Sequence, residues 1–328
     1  MPWPAGTCPP EAAVFLDPVA AERLDGELLD ARTDDHGCAF FLGHAQPLGS
    51  GAMERLSIPI GNDLVLDAVA GGPLDGPVVL LLHGFPQTSW CWRGIWPSLV
   101  EAGYRVIAPD QRGYSPGARP EGIEPYAMPH LVADVVSILD SIGAERAHVV
   151  GHDWGAAITW QVAARHPDRV RTITALSVPH PLAFADALRT DPDQRQRSQY
   201  MLDWYDPGAE IALLEGGLEQ VFGGIPTVDA ASYLSVLREP GVLTRALNYY
   251  RAVSRADVEG LGPITAPTLH VWSDDDAALG PVATYASAAH VDGPYRLVVL
   301  EGVSHWIPEQ APDAVAGLLL EHLGGGRP

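Results

Sequence analysis

Short apolar runs alternate with helical stretches along the chain from about residue 53 onwards. The clearest run is Val78–Leu82, whose unbroken apolar character is typical of a central strand buried on both faces. After two opening strands separated by Gly61 and Asn62, further strands are predicted at 105–108, 147–150, 172–178, 268–272 and 296–300. Helices are predicted between them, including 131–142, 156–165 and the closing 312–323. The alternation favours an α/β fold with a mostly parallel sheet and helices on both faces.

Two segments depart from this rhythm. Residues 179–256 contain helical stretches and aromatic residues but no apolar run typical of a buried strand. They predict a helical cap, inserted between core segments 53–178 and 257–328. Residues 1–52 are rich in Pro, Gly and Asp and are predicted to be an N-terminal extension. The apolar patch at 38–42 leaves two interpretations open, a surface arm or an arm that packs on the core or on a second subunit.

Charge and composition narrow the classes of function. The chain has 20 Lys and Arg against 41 Asp and Glu, and its formal net charge is −21. This charge disfavours partners such as nucleic acid and anionic membranes and favours a neutral or cationic small-molecule substrate. Three scattered cysteines without a CxxC, and twelve histidines without an HExxH, indicate no disulfide framework and no metal site. The sequence shows no membrane span and no secretory signal, so we expect a cytoplasmic monomer or homodimer.

The chemistry is concentrated at residues 147–157, Ala-His-Val-Val-Gly-His-Asp-Trp-Gly-Ala-Ala. A predicted strand, a Gly-x-Asp-x-Gly turn and a helix start follow one another here. Gly151 and Gly155 permit a turn so tight that side chains at these positions would clash, and the turn lifts Asp153 to a helix N-terminus that favours negative charge. A carboxylate with a reference pKa of about 3.9 is already ionised at neutral pH and is suited to displacement at a saturated carbon. Asp153 is therefore the predicted nucleophile.

With this turn, the sequence resembles the α/β-hydrolase family, in the branch that carries aspartate at the turn. This branch contains the epoxide hydrolases and the haloalkane and haloacetate dehalogenases. The resemblance spans about residues 53–323 and rests also on His-Gly-Phe-Pro at 83–86, Asp-Gln-Arg-Gly-Tyr-Ser at 110–115 and Gly-Val-Ser-His-Trp at 302–306. It implies an α/β-hydrolase fold with an inserted helical cap.

The resemblance also implies a catalytic triad in the chain order nucleophile, acid, histidine. The histidine is His305, which follows the last predicted strand. The family usually places the acid four residues after the residue that corresponds to Trp272, which selects Asp276, with Asp274 and Asp275 as alternatives. The backbone N–H groups of Phe85 and Trp154 are expected to stabilise the charge on the ester oxygen during hydrolysis.

Two cap segments point to epoxides. Residues 200–208 (Tyr-Met-Leu-Asp-Trp-Tyr-Asp-Pro-Gly) and 246–252 (Ala-Leu-Asn-Tyr-Tyr-Arg-Ala) resemble the segments that carry the two cap tyrosines of epoxide hydrolases. The resemblance implies that Tyr200 and Tyr250 polarise and protonate the ring oxygen. Trp154, Trp204 and Tyr205 are predicted to contact the substrate.

The sequence departs from the dehalogenases at two positions. Haloalkane dehalogenases often carry Asn where this chain has Phe85, and haloacetate dehalogenases carry Arg where it has Trp154. We therefore predict an epoxide hydrolase that needs no cofactor and forms a vicinal diol through an ester on Asp153. The alternatives are a dehalogenase with the same nucleophile and a non-catalytic ligand-binding protein of this fold.

Overall fold

The computed structural model describes residues 32–33, 39–40 and 53–324. In the predicted extension it contains two short strands, β1 (Arg32–Thr33) and β2 (Ala39–Phe40), which pair antiparallel. The remainder of the extension lies outside the described residues. What the patch at 38–42 contacts therefore stays open.

An eight-stranded sheet forms the centre of residues 53–324. Its strands are β3 (Glu54–Pro59), β4 (Val65–Gly71), β5 (Val78–Leu82), β6 (Arg105–Pro109), β7 (Ala147–His152), β8 (Val170–Leu176), β9 (Thr268–Ser273) and β10 (Tyr295–Leu300). They lie in the order β10-β9-β8-β7-β5-β6-β4-β3. Strand β4 is antiparallel to both of its neighbours, and all other neighbouring strands are parallel. The predicted α/β class with a mostly parallel sheet is confirmed.

Helices cover the sheet, as the apolar character of its strands requires. Every residue of β6, β7 and β9 is buried, as expected for strands covered on both faces. The helices outside the predicted cap are α1 (Trp96–Glu101), α2 (Met128–Ser141), α3 (Trp154–Arg165), α11 (Pro281–Ala286), α12 (Ile307–Gln310) and α13 (Pro312–Gly324). Helix α3 packs against β7 and β8, so it holds the turn that precedes it firmly on the sheet.

The strand order creates a crevice at one point of the sheet. The chain runs from β5 outward to β6 and then returns to place β7 on the other side of β5. The loops that leave the carboxyl ends of β5 and β7 therefore diverge, which is where open α/β sheets bind their ligands. Phe85 follows β5 and Asp153 follows β7, so this crevice receives both residues.

Between β8 and β9 the structure contains helices and, among residues 177–256, no strand. The helices are α4 (Pro181–Thr190), α5 (Pro192–Arg197), α6 (Gln199–Asp203), α7 (Ala209–Ala212), α8 (Leu218–Val221), α9 (Thr227–Leu237) and α10 (Val242–Arg251). This is the segment predicted to form the cap, and the boundaries at 179 and 256 stay a prediction. Within the described part of the chain, every helix is too short or too polar to cross a membrane.

Candidate active site

Asp153 occupies a sharp turn between β7 and α3. Its backbone has φ 52° and ψ −120°, a conformation that residues other than glycine rarely adopt. A side chain at Gly151 would collide with the backbone of Gly155, and one at Gly155 would collide with the carbonyl oxygen of Leu82. Glycine at both positions therefore lets strand and helix approach closely enough to hold the strained residue above the sheet.

The carboxylate of Asp153 has a different neighbour on each oxygen. Its Oδ1 accepts a hydrogen bond of 2.7 Å from the Phe85 N–H, which comes from the loop after β5. Its Oδ2 lies 3.5 Å from Nε2 of His305. Trp154 is the first residue of α3, so its N–H belongs to the group of helix-start donors without an intrahelical partner. That the Trp154 N–H is the second donor to Oδ1 stays a prediction.

His305 and Asp276 meet as the sequence predicts. Nδ1 of His305 lies 2.8 Å from Oδ2 of Asp276. The other oxygen of Asp276 accepts hydrogen bonds from the Ala278 and Leu279 N–H groups at 2.8 and 3.0 Å. These bonds hold the carboxylate in the orientation that fixes the imidazole.

The other two candidate acids point elsewhere. Asp274 and Asp275 are exposed, and Oδ1 of Asp274 accepts a hydrogen bond from the Gly302 N–H instead. Of the three consecutive aspartates, the structure thus brings Asp276 to His305.

The two neighbouring carboxyl groups change the protonation state of His305. Burial lowers the pKa of His305, but the charges and hydrogen bonds of Asp276 and Asp153 outweigh burial and raise this pKa to about 10. Burial raises the pKa of Asp276, but the His305 charge and the hydrogen bonds it receives leave this pKa below its ordinary value. In the resting protein, a cationic imidazole therefore lies between two carboxylates.

Tyr200 and Tyr250 reach the same cavity from the helices inserted between β8 and β9. Their ring centroids are 6.3 Å apart, and both line the cavity together with Asp153 and His305. Burial, and then the charge of Asp153, raises the pKa of each phenol well above its ordinary value. Both hydroxyl groups therefore keep their protons and can donate hydrogen bonds.

The neighbouring Tyr249 is engaged elsewhere. Its hydroxyl donates a 2.7 Å hydrogen bond to the carbonyl oxygen of Arg112. Of the two adjacent tyrosines of α10, Tyr250 thus lines the cavity and Tyr249 binds the backbone of Arg112.

The cavity has a volume of about 300 Å³, and its wall is mainly apolar. Trp204 lines it and packs against Phe85 and Tyr250, with ring centroids 4.9 and 4.8 Å apart. Trp154 is not among the lining residues, and its ring packs against Tyr250 at 5.0 Å, so it supports this tyrosine rather than the cavity wall.

Tyr205 does not line the cavity, and its contact with the substrate stays a prediction. It is 44% exposed, and its hydroxyl lies 3.5 Å from the carbonyl oxygen of Val253. The reason is the helical turn that ends α6, in which consecutive side chains point about 100° apart. Because Trp204 faces inward, Tyr205 faces outward.

Three buried residues behind His305 were not identified from the sequence. Nε2 of His152 lies 2.8 Å from the carbonyl oxygen of His305, and its Nδ1 lies 2.8 Å from the Gln87 side-chain amide. The same amide lies 2.7 Å from Oε1 of Glu309. Gln87 and Glu309 are 222 positions apart, and no local pattern links them.

Residues 53–324 include no group of three or more His, Cys, Asp or Glu arranged to hold a metal ion. The polar groups at the cavity are a carboxylate, an imidazole with a second carboxylate as its partner, and two phenols.

Known proteins share the sequence pattern and the fold of this chain. The family model of the alpha/beta hydrolase fold matches residues 77–312. The chain is 36% identical over 312 residues to epoxide hydrolase A of Mycobacterium tuberculosis, covering 80% of this chain and 95% of that protein. It is 30% identical over 266 residues to epoxide hydrolase 4 of Mus musculus, covering 76% of this chain and 74% of that protein.

Among solved structures, epoxide hydrolase A from Mycobacterium thermoresistibile is similar to this chain with a TM-score of 0.73. The sequence identity is 32%, and the match covers 84% of this chain and 99% of that one. The resemblance drawn from the sequence motifs is confirmed, and this chain belongs to the α/β-hydrolase fold family.

Proposed function

We propose that this chain is an epoxide hydrolase, which converts a small neutral epoxide to a vicinal diol through an ester on Asp153. The observation that carries the proposal is the meeting, in one mainly apolar cavity, of Asp153, His305 and two protonated tyrosines. The similarity to proteins named epoxide hydrolases supports the same reaction.

In the first step, the carboxylate of Asp153 attacks an epoxide carbon. Oδ1 is held by the Phe85 N–H, so we assign the attack to Oδ2. As the carbon–oxygen bond of the ring breaks, the ring oxygen takes a proton from Tyr200 or Tyr250. Their raised pKa values keep this proton available until the oxygen becomes strongly basic.

Formation of the ester then changes the charge state of His305. The ester is neutral, so one of the two anions that raise the pKa of His305 disappears. The imidazolium can return a proton to the tyrosinate left by the first step. His305 is then neutral and, oriented by Asp276, able to accept a proton from water.

In the second step, water attacks the carboxyl carbon of Asp153 and gives its proton to His305. The ester carbonyl oxygen, Oδ1, gains negative charge within reach of the Phe85 N–H, and we assign the Trp154 N–H as its second donor. The intermediate collapses with release of the diol, whose leaving oxygen takes the proton from His305. The carboxylic acid left on Asp153 then reprotonates the imidazole, which restores the resting charges.

The sharpest test compares the two adjacent tyrosines of α10. We expect Tyr250→Phe and Tyr200→Phe each to slow formation of the ester about 10²- to 10³-fold, because each removes one donor to the developing alkoxide. Tyr249→Phe is the matched control, since its hydroxyl is bound to the backbone of Arg112. It should lose stability but keep its rate of epoxide opening.

Products identify the reaction. The assay is a panel of epoxides and haloalkanes scored for diol and for halide, with single turnovers in heavy-oxygen water. Diol formation, with label entering the Asp153 carboxylate, supports the proposal. Release of halide without diol would establish the dehalogenase alternative, and no reaction with any compound would favour the non-catalytic one.

A further inference from the structure

Glu309 is a buried carboxyl group outside the cavity. It lies on α12, four residues after His305. Its Oε1 is 2.7 Å from the Gln87 side-chain amide and accepts a 2.7 Å hydrogen bond from the Tyr233 hydroxyl on α9. Its Oε2 has no hydrogen-bond partner among the described residues. A buried carboxylate oxygen without a donor is far more costly than the carbonyl oxygen of a neutral carboxylic acid.

The orientation of Gln87 links the proton of Glu309 to that of His152. In one orientation of the amide, the Gln87 oxygen faces Nδ1 of His152, and its nitrogen donates to Oε1 of Glu309. Nε2 of His152 faces a carbonyl oxygen that can only accept. Both ring nitrogens must then carry hydrogen, which makes His152 a cation, and the charge is balanced within the chain only if Glu309 is an anion.

A half-turn of the amide gives a neutral alternative with the same number of protons. The Gln87 nitrogen then donates to Nδ1 of His152, and its oxygen accepts a hydrogen bond from protonated Glu309. Nε2 of His152 keeps its hydrogen and still donates to the carbonyl of His305. No charge is created in either buried group.

The surroundings favour the neutral arrangement. Burial, and then the charge of His305, lowers the pKa of His152 to about 4, because the two imidazole rings are only 4.9 Å apart. Burial raises the pKa of Glu309 to about 7, in spite of the hydrogen bonds from Gln87 and Tyr233. A second cation beside His305 would be costly when this imidazole is itself protonated.

We infer that Glu309 is a positioning residue: as a neutral acid it donates a hydrogen bond to Gln87, which orients His152 so that its Nε2–H holds the carbonyl group of His305. The inference rests on the proposed function, in which His305 activates water. Tyr233 contacts the same carboxyl group from α9, so the helices between β8 and β9 and the loop of the catalytic imidazole share one anchor.

The pH dependence follows from the groups that face Glu309. These are Gln87, Tyr233, the buried thiol of Cys91, and Asp229, which is paired with Arg93 at 2.6 Å. Arg93 is already paired with Asp229, so none of these groups supplies a free positive charge to balance a negative charge on Glu309. When the acid ionises above about pH 7, it loses the hydrogen that it donates, and the chain to His305 is broken.

The test separates the two steps of the reaction in rapid-quench single turnovers, with the ester followed by intact-mass spectrometry. In the unmodified protein, we expect the rate of ester hydrolysis to fall about five- to tenfold as pH rises through about 7. A decrease of this size corresponds to the loss of one hydrogen bond. Formation of the ester should not show this decline. Glu309→Gln should remove the decline, because an amide keeps its N–H donor at every pH.

Glu301→Gln is the matched control, since Glu301 is exposed and precedes the His305 loop. Its hydrolysis profile should show the unmodified decline. If Glu309→Gln also keeps that decline, the inference is wrong.

A second measurement needs neither substrate nor variant. Infrared difference spectra of the unmodified protein should show a buried protonated carboxyl band that disappears with a midpoint near pH 7. Absence of this band would overturn the inference even if Glu309→Gln fails to fold. If no epoxide reacts with the protein, the proposed function fails, and the infrared titration still decides whether Glu309 holds its proton.

Discussion

Replacing His305 with glutamine should separate the two chemical steps. Glutamine can keep a hydrogen bond to Asp276, and it does not touch the bond between the Phe85 N–H and Oδ1 of Asp153. The nucleophile is therefore intact and the ester should form. Its hydrolysis lacks the base, a loss of about 10²- to 10⁴-fold, or about 3 to 5 kcal/mol in the barrier.

These magnitudes make the ester directly observable. With turnover of about 10 per second in the unmodified enzyme, the ester in His305→Gln should persist for about 10 to 10³ seconds. Intact-mass spectrometry after an acid quench should show the mass of one epoxide added, and digestion should locate it on Asp153.

Two variants control this experiment. Asp153→Asn should show no added mass, whereas His130→Gln, on the surface beside Glu124, should turn over normally. Steady turnover by His305→Gln at the unmodified rate would refute the assignment of the base. A variant that neither turns over nor accumulates the ester would refute the division into two steps.

Three further predictions follow from the same geometry. Asp276→Asn should lower kcat about 10²- to 10⁴-fold, because the NH₂ group of the amide must face a donor, either the imidazole N–H or the backbone N–H groups of residues 278 and 279. Asp275→Asn is the exposed control. Equal activity of the two variants would contradict the triad. The raised pKa of His305 should add stability that is fully present below about pH 6.5 and is lost as pH rises through about 10. Urea unfolding across this window should show the loss in the unmodified protein and not in His305→Gln. Gly155→Ala should lower the free energy of unfolding by about 3 kcal/mol in the same assay, because the added methyl group would collide with the Leu82 carbonyl oxygen. An unchanged urea midpoint would disprove this collision.

The strands were predictable because the interior of a parallel sheet imposes a simple pattern. The five predicted strands after β5 agree with the structure to within two residues at each end. Helix α13 begins at Pro312 as predicted, but the start of α2 was less accurate, since α2 begins at Met128, three residues before the predicted start. Its first turn contains Pro129 and His130, which contribute little to the apolar face that defines the pattern.

The residues of the cavity were predictable where a local motif specifies them. The turn at Asp153 needs its two glycines whatever the rest of the chain does, and His305 is marked by the loop that follows the last strand. The outward direction of Tyr205 could not be predicted, because composition indicates an aromatic side chain but not its direction. The hydrogen-bonded chain from Glu309 to His152 carries no sequence signal, since its members come from three distant parts of the sequence: helix α12, the loop after β5 and the end of β7.

The sequence by itself determined the class of fold and the strained turn at Asp153, because both follow from local patterns of apolar residues and glycines. Only the tertiary structure decided which side chains support the cavity from behind and which face away from it. Gln87 and Glu309 meet although 222 positions separate them, and Tyr205 is exposed while its neighbour Trp204 lines the cavity. Such directions are set by packing and hydrogen bonding between distant segments, and these contacts exist only after the chain has folded.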